Sequence, residues 1–346
     1  LSEGKMMKIF QWHFGLYLVP LAFLLPTSNA QAAVNCTAMM ASVNLGDITL
    51  ANADNESITA TLKYDCRNTY VFSRNVSICL AVDGGDYDQT DVFPRYMKNT
   101  TPTPSLAFTM KLPNNTIWGS RNYTGGSEYK TVVNVPGGTT TSFNVPIQIS
   151  LSSGYNNISA TPGNYTNNFV AGSTAMAVDI SSLFNLTPNC SSKGLKPNEF
   201  PFTVQANVLK ECKITANPGV ISLGSEPAGE KNLSSNGKIG VTCTKTTPYN
   251  IGLAPKTPNP IGNTNGGGFL NGTGGNTDKV PYQLRSAVGT NGKKWGNNGS
   301  TIDTLTNGVT GTGSGAEQLN NVYVTVPSAD FKPDTYTDTV TIHVNY

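Results

Sequence analysis

The hydrophobic pattern of this chain has a period of two almost throughout. It is clearest in TYTDTVTIHVNY (335–346), where Val340, Ile342, Val344 and Tyr346 alternate with Thr339, Thr341, His343 and Asn345. Alternation of this kind marks a strand with one buried face. A second example is FPFTVQANV (200–208), with Phe200, Phe202, Val204, Ala206 and Val208 on one side and Pro201, Thr203, Gln205 and Asn207 on the other. Long stretches of helical period are missing, and the segments between strands are rich in Gly, Asn, Thr and Ser. The pattern predicts an all-β protein with large polar loops.

The alternating segments also repeat. One copy begins VNCTAMMASVNLGDITL and the other KECKITANPGVISLG; each is followed by a strand ending in cysteine, SITATLKYDC or GKIGVTC. Cys36 and Cys66 are 30 positions apart, and Cys212 and Cys243 are 31 apart. These matched separations predict the same bridge in each copy, Cys36–Cys66 and Cys212–Cys243. Closing a loop of that length contributes about 3–4 kcal/mol in the chain-entropy model. Further on, LAFTMKL with Trp118-Gly119 matches VPYQLRS with Trp295-Gly296, and FNVPIQISL matches NVYVTVPSA. PGNYTNNF matches PDTYTDTV, so Tyr165 aligns with Tyr336.

Each copy reads as about six strands in an immunoglobulin-like β-sandwich. Only the first has a seventh, the G strand (about 199–209), which leads directly into Cys212. The expected architecture is therefore two immunoglobulin-like sandwiches in tandem, over 33–210 and 211–346, the second lacking its final G strand. Its open edge would be Val340, Ile342, Val344 and Tyr346. An uncovered edge of this kind exposes apolar core and leaves backbone groups unpaired. A strand donated by a partner would cover it.

Composition adds the compartment. Lys5 and Lys8 precede an apolar run from Phe14 to Leu25, and Ala30-Gln31-Ala32 fits a cleavage site. These features predict an export signal over 1–32, whose apolar run is short for a membrane span. All six cysteines lie beyond it, an even number that suits disulfides in an oxidising compartment. Cys79 and Cys190, which stand outside the repeat, are expected to pair. No CxxC spacing occurs and there are two histidines, so no metal site or other cofactor is expected.

Net charge is +2 with 13% charged residues, which gives no electrostatic case for nucleic acid. His13 falls in the signal and His343 on the terminal strand, so no Ser-His-Asp or multi-histidine site assembles and no enzyme is expected. The glycine-rich segments NTNGGGFLNGTGGN and GTGSGAE lack the strand-to-helix setting of a phosphate loop.

The paired cysteines, the Tyr282-Gln283-Leu284…Trp295-Gly296 centre and the P-x-x-Y-T-D-x-V-x-I-x-V-x-Y ending resemble spore coat protein U domains. These are the pilin domains of archaic chaperone–usher pili, and a two-domain chain of this kind resembles the tip adhesins of Csu-type pili. The resemblance covers nearly all of the chain after the signal. It implies export through the periplasm to the cell surface, a periplasmic chaperone that lends a strand, an outer-membrane usher, and a neighbouring subunit that later donates its own strand. It also implies attachment to abiotic or host surfaces and biofilm formation. With only Ala33, Val34 and Asn35 left between the signal and Cys36, the chain is expected to accept a strand and donate none, which suits the tip of a pilus.

In a sandwich so connected, the free pole of the first copy is built from its B–C, D–E and F–G loops. Candidate surface-binding residues are Tyr70, Val71 and Phe72 in the first, Ile117 and Tyr123 in the second, and Met176, Val178, Ile180, Leu183, Phe184 and Leu186 in the third. Apolar groups displayed together at a pole suit contact with a hydrophobic surface. Two other readings are open: a lectin-like adhesin that binds glycans, and a coat or matrix protein with no pilus.

Overall fold

The computed structural model describes residues 32–99, 105–170, 172–182, 186–217, 219–258 and 263–346. The expected signal segment thus lies almost wholly outside the described residues, as do Leu183 and Phe184.

The front module contains β1 (Val34–Met40), β2 (Val43–Ile48), β3 (Ser57–Asn68), β4 (Arg74–Val82), β5 (Arg95–Met97) and β6 (Leu106–Lys111). It continues with β7 (Tyr129–Val135), β8 (Thr140–Leu151), β9 (Gly163–Phe169), β10 (Thr174–Ile180), β11 (Lys196–Pro197) and β12 (Phe202–Val208). The rear module contains β13 (Cys212–Asn217), β14 (Lys231–Cys243), β15 (Pro248–Pro255), β16 (Gly267–Gly272) and β17 (Lys279–Arg285). It ends with β18 (Val309–Thr312), β19 (Glu317–Ser328), β20 (Tyr336–Thr337) and β21 (Val340–Asn345). The protein is all-β, two sandwiches in tandem.

One sheet of the front module has the order β1-β3-β8-β6-β5. The opposing layer is split into β11-β10-β4-β7 and β2-β12-β9. The rear module repeats this with β13-β14-β19-β17-β16-β20 facing β18-β15-β21. In both, the first strand pairs antiparallel with the strand that ends in cysteine, and the two cysteines are direct register partners, Cys36↔Cys66 and Cys212↔Cys243. All three expected disulfides are present, including Cys79–Cys190.

Inward-facing residues of the alternating strands make two separate cores. The front core centres on Leu62, Ile78, Leu80, Phe108, Trp118, Ile147, Tyr165 and Phe169, and the rear core on Val241, Ile251, Leu253, Leu284, Trp295 and Val326. Full burial of each such aliphatic or aromatic side chain contributes about 1.5–3 kcal/mol.

The duplication extends to individual hydrogen bonds. Trp118 Nε1 donates to Leu80 O at 3.0 Å, and Trp295 Nε1 donates to Ile251 O at 2.7 Å. Tyr165 Oη donates to the carbonyl of Thr161, and Tyr336 Oη to that of Lys332, each four residues back.

Candidate functional site

The two modules differ most where β12 sits. In the front module β12 runs antiparallel to β9, from Phe202↔Phe169 to Val208↔Gly163. On its other side it runs parallel to β2, with Val204 opposite Val43 and Val208 opposite Ile48. The inward residues Phe202, Val204, Ala206 and Val208 are buried, as is the preceding Phe200. Phe200 and Phe202 stack on Trp118 at 5.9 and 6.3 Å, and Phe202 stacks on Phe169 at 4.6 Å. This strand therefore closes the core and pairs two edges at once.

The rear module has no such strand among the described residues. β21 pairs with β15 on one side, from Asn250↔Asn345 to Pro255↔Val340, and carries no partner on the other. Residues 219–226, which follow the first strand as β2 does in the front module, form no ladder. Between them lies a groove of about 990 Å³, lined by Ile221, Leu223, Leu233, Leu253, Leu270, Val280, Tyr282, Val322, Val324, Phe331, Val340 and Ile342. At one end Tyr282 Oη donates to Asp338 Oδ2 at 2.7 Å. Burial, and then this bond to a carboxylate, hold the Tyr282 hydroxyl well above the usual phenol range.

Of the four expected edge residues, Val340 and Ile342 line the groove. Val344 is half-buried opposite Ile251, and Tyr346 is exposed. The opposite wall, Ile221 and Leu223, was not singled out by sequence reasoning. Its signal was the apolar alternation of PGVISLG, which matches Val43 and Leu45 of the first copy.

The pole of the front module collects part of the expected set. The β3–β4 turn holds Tyr70, Val71 and Phe72; Val71 is 87% exposed and Phe72 76%. Tyr70 is half-buried with the Arg74 guanidinium 4.4 Å from its ring centre. Ser181 N donates to Asn75 O, which brings the segment after β10 to the same end, where Leu186 is 76% exposed.

Two parts of the expected set do not belong to this pole. Met176, Val178 and Ile180 lie in β10, paired with Leu80, Ile78 and Val76. Met176 is buried, and Val178 and Ile180 pack half-buried against the core. The run also has a counterpart in the second copy, contrary to the sequence reading. Leu80, whose carbonyl accepts from Trp118, pairs with Met176, just as Ile251, whose carbonyl accepts from Trp295, pairs with Val344. Ile117 and Tyr123 belong to the segment around Trp118, and Val82 N bonds Gly119 O at the opposite end of β4; both side chains are half-buried.

Among the described residues no group of three or more His, Cys, Asp or Glu is placed to hold a metal ion, and no helix is long and apolar enough to cross a membrane.

No curated protein matches the chain. Several solved structures are similar over most of its length. One is the chaperone–tip adhesion subunit pre-assembly complex CsuC–CsuE from archaic chaperone–usher Csu pili of Acinetobacter baumannii, at 16% identity and TM-score 0.46, covering 90% of this chain and 100% of that one. Another is the CupB6 tip adhesin of Pseudomonas aeruginosa, at 9% identity and TM-score 0.30, covering 90% and 94%. A third is the CFA/I adhesin CfaE of enterotoxigenic E. coli, at 11% identity and TM-score 0.28, covering 88% and 92%. Residues 198–343 match the Spore Coat Protein U domain family, a match that takes in β12 and nearly all of the rear module.

Proposed function

We propose that this protein is a pilus adhesin, a tip subunit whose rear module is completed by a strand from another polypeptide. The carrying observation is the pair of modules itself: one with β12 seated in its core, the other with an apolar groove at the equivalent place. The family match begins at residue 198, ahead of β12 and of Cys212. The segment that leads into the rear module thus serves as the last strand of the front one. Repeating that arrangement between two chains puts the leading segment of a neighbouring subunit into the rear groove. A periplasmic chaperone fills the groove first, and an outer-membrane usher passes the subunit to the surface.

In the same reading the front module, 33–210, meets an abiotic or host surface through Val71, Phe72 and Leu186, with Leu183 and Phe184 of the same loop. Contact with a hydrophobic surface through these groups supports attachment and biofilm formation.

The test uses the full chain and a synthetic peptide of residues 199–209. The peptide is expected to raise the melting temperature of the rear module and suppress aggregation, while a scrambled peptide does neither. A rear module that melts cooperatively and monomerically, with no response to any alternating apolar peptide, overturns the assignment. Adsorption to polystyrene beads, compared with the Phe72→Ser/Leu186→Ser variant, tests the pole; unchanged adsorption removes it as the contact site.

A further inference from the structure

A second surface of the front module, remote from the pole, displays aromatic rings from two loops. The segment between β4 and β6 carries Tyr87, Phe93 and Tyr96, and the segment after β8 carries Tyr155. The Tyr87 and Tyr96 ring centres are 5.2 Å apart with planes inclined at 39°, and Phe93 meets Tyr155 edge to face at 6.3 Å. Tyr87 is 38% exposed, Phe93 48% and Tyr155 41%. Among the described residues none of the three tyrosine hydroxyls has a hydrogen-bond partner. Burial, and then the nearby charges of Asp91, Tyr155 and Tyr87, raise the Tyr96 hydroxyl, which ties these groups into one neighbourhood.

The loop is held in place from beneath. The fully buried Arg95 guanidinium donates to the carbonyls of Asp83, Val92 and Trp118 at 2.8, 3.0 and 2.6 Å. Buried Asn167 donates to Gly84 O and Tyr96 O, both at 2.9 Å. A surface fixed by buried hydrogen bonds loses little entropy on binding. In the rear module the stretch between β15 and β16, 256–266, contains no aromatic residue, so Tyr87 and Phe93 are not a requirement of the shared fold, whereas Tyr96 has a counterpart in Phe269 of β16.

We propose that this face is a binding site for neutral oligosaccharides. Ring faces stack against the apolar C–H face of a sugar, and phenol hydroxyls and carboxylates at the rim take its hydroxyl groups. Asp88 and Asp91 decide between sugar and an apolar surface. Each uses one carboxylate oxygen in a local turn, Asp88 Oδ1 with Thr90 and Asp91 Oδ1 with Phe93 N. An apolar material would desolvate these carboxylates with no compensating donors, whereas sugar hydroxyls supply them. Lys98 Nζ lies 5.0 Å from the Tyr87 ring centre on one face, so a sugar stacks on the other; the two carboxylates outweigh this one cation and disfavour uronates and sialylated chains. The inference does not rest on the groove or the pole.

The experiment measures binding of the full chain to immobilised chitotetraose, cellotetraose, mannotetraose and β-1,4-galactotetraose, with polygalacturonate as the anionic control. At least one neutral oligosaccharide is expected to bind and polygalacturonate is not. Tyr87→Ala/Tyr155→Ala is expected to weaken that binding at least about tenfold, and Phe72→Ser to leave it unchanged. Tyr155→Ala alone, on its separate exposed loop, gives a graded loss at an unaltered melting temperature, which separates loss of the site from loss of the fold. Failure of every neutral probe, or binding that survives the double variant, overturns the proposal. If the double variant instead loses adsorption to polystyrene while no sugar binds, the face is an apolar contact surface and the sugar assignment is wrong.

Discussion

Two tyrosines in equivalent places show how burial sets the worth of one hydroxyl. Tyr165 is fully buried and its hydroxyl both donates to Thr161 O at 2.9 Å and accepts from Thr161 N at 3.0 Å. Tyr336 donates to Lys332 O and accepts from the side-chain amide of Asn276, but at a half-exposed site. Tyr165→Phe leaves the half-buried Thr161 N–H without its acceptor, so a loss of about 1–3 kcal/mol is expected; at Tyr336 the freed Asn276 amide and Lys332 carbonyl lie closer to water, and Tyr336→Phe is expected to cost about 0.5–1.5 kcal/mol. Denaturant titration of the two variants checks the order.

Asp83 offers a pH prediction. Desolvation raises its pKa, against the opposing help of Gly85 N, Ser173 and Arg95. A carboxyl raised in the folded state stabilises most when protonated, below its unfolded value, and that contribution is lost as pH rises through the folded value. The melting temperature of the native protein minus that of Asp83→Asn is therefore expected to rise as pH falls from neutral toward 4. A difference that stays flat or falls would contradict it.

At the scale of elements, the repeat made most of the fold legible. Cysteine separation predicted two bridges because a register pair in an antiparallel ladder fixes both positions, as Cys36↔Cys66 and Cys212↔Cys243 do. Tyr165 and Tyr336, and Trp118 and Trp295, aligned because each anchors a backbone carbonyl in the same place. What sequence did not reveal was that the long strand before the front pole is broken into β9 and β10. Its two halves serve different neighbours, β12 and β4. The break offsets Met176 from Val344, and local similarity does not bridge it. Nor does period-two alternation tell a core strand from an exposed loop when both are apolar, and so Met176 entered the surface set.

The Cys79–Cys190 bridge belongs to this scale as well, since it ties β4 to the segment that follows β10 across a sequence separation of 111. Arg121 reinforces the same segment by donating to the carbonyls of Ser191 and Lys193 at 2.8 and 3.0 Å. In the chain-entropy model a loop of that size contributes about 4–5 kcal/mol. Cys79→Ala/Cys190→Ala is thus expected to lower front-module stability by several kcal/mol, read from its denaturation midpoint, while the rear module's midpoint stays unchanged.

For the whole molecule, the separation of the two cores implies that the groove of the rear module and the pole of the front one respond independently to substitution. The front core closes with β12 and the rear core waits beside β21. Heating is then expected to give two transitions, because each core melts around its own apolar cluster. A groove-filling peptide binds only the folded rear module and stabilises it by mass action, about 2.7 kcal/mol at a hundredfold excess over its Kd. Calorimetry should therefore show the rear transition climbing with peptide concentration while the front one stays fixed. Ile342→Asp puts a carboxylate in a groove wall that is mostly apolar, where Lys238 and Lys332 are the cations among the lining residues. That variant is expected to abolish the peptide shift and leave the front transition, and the proposed adsorption through the pole, unchanged. A single transition, or a peptide that moves both equally, would mean that the two sandwiches fold as one body and that the unfilled groove is not an independent acceptor.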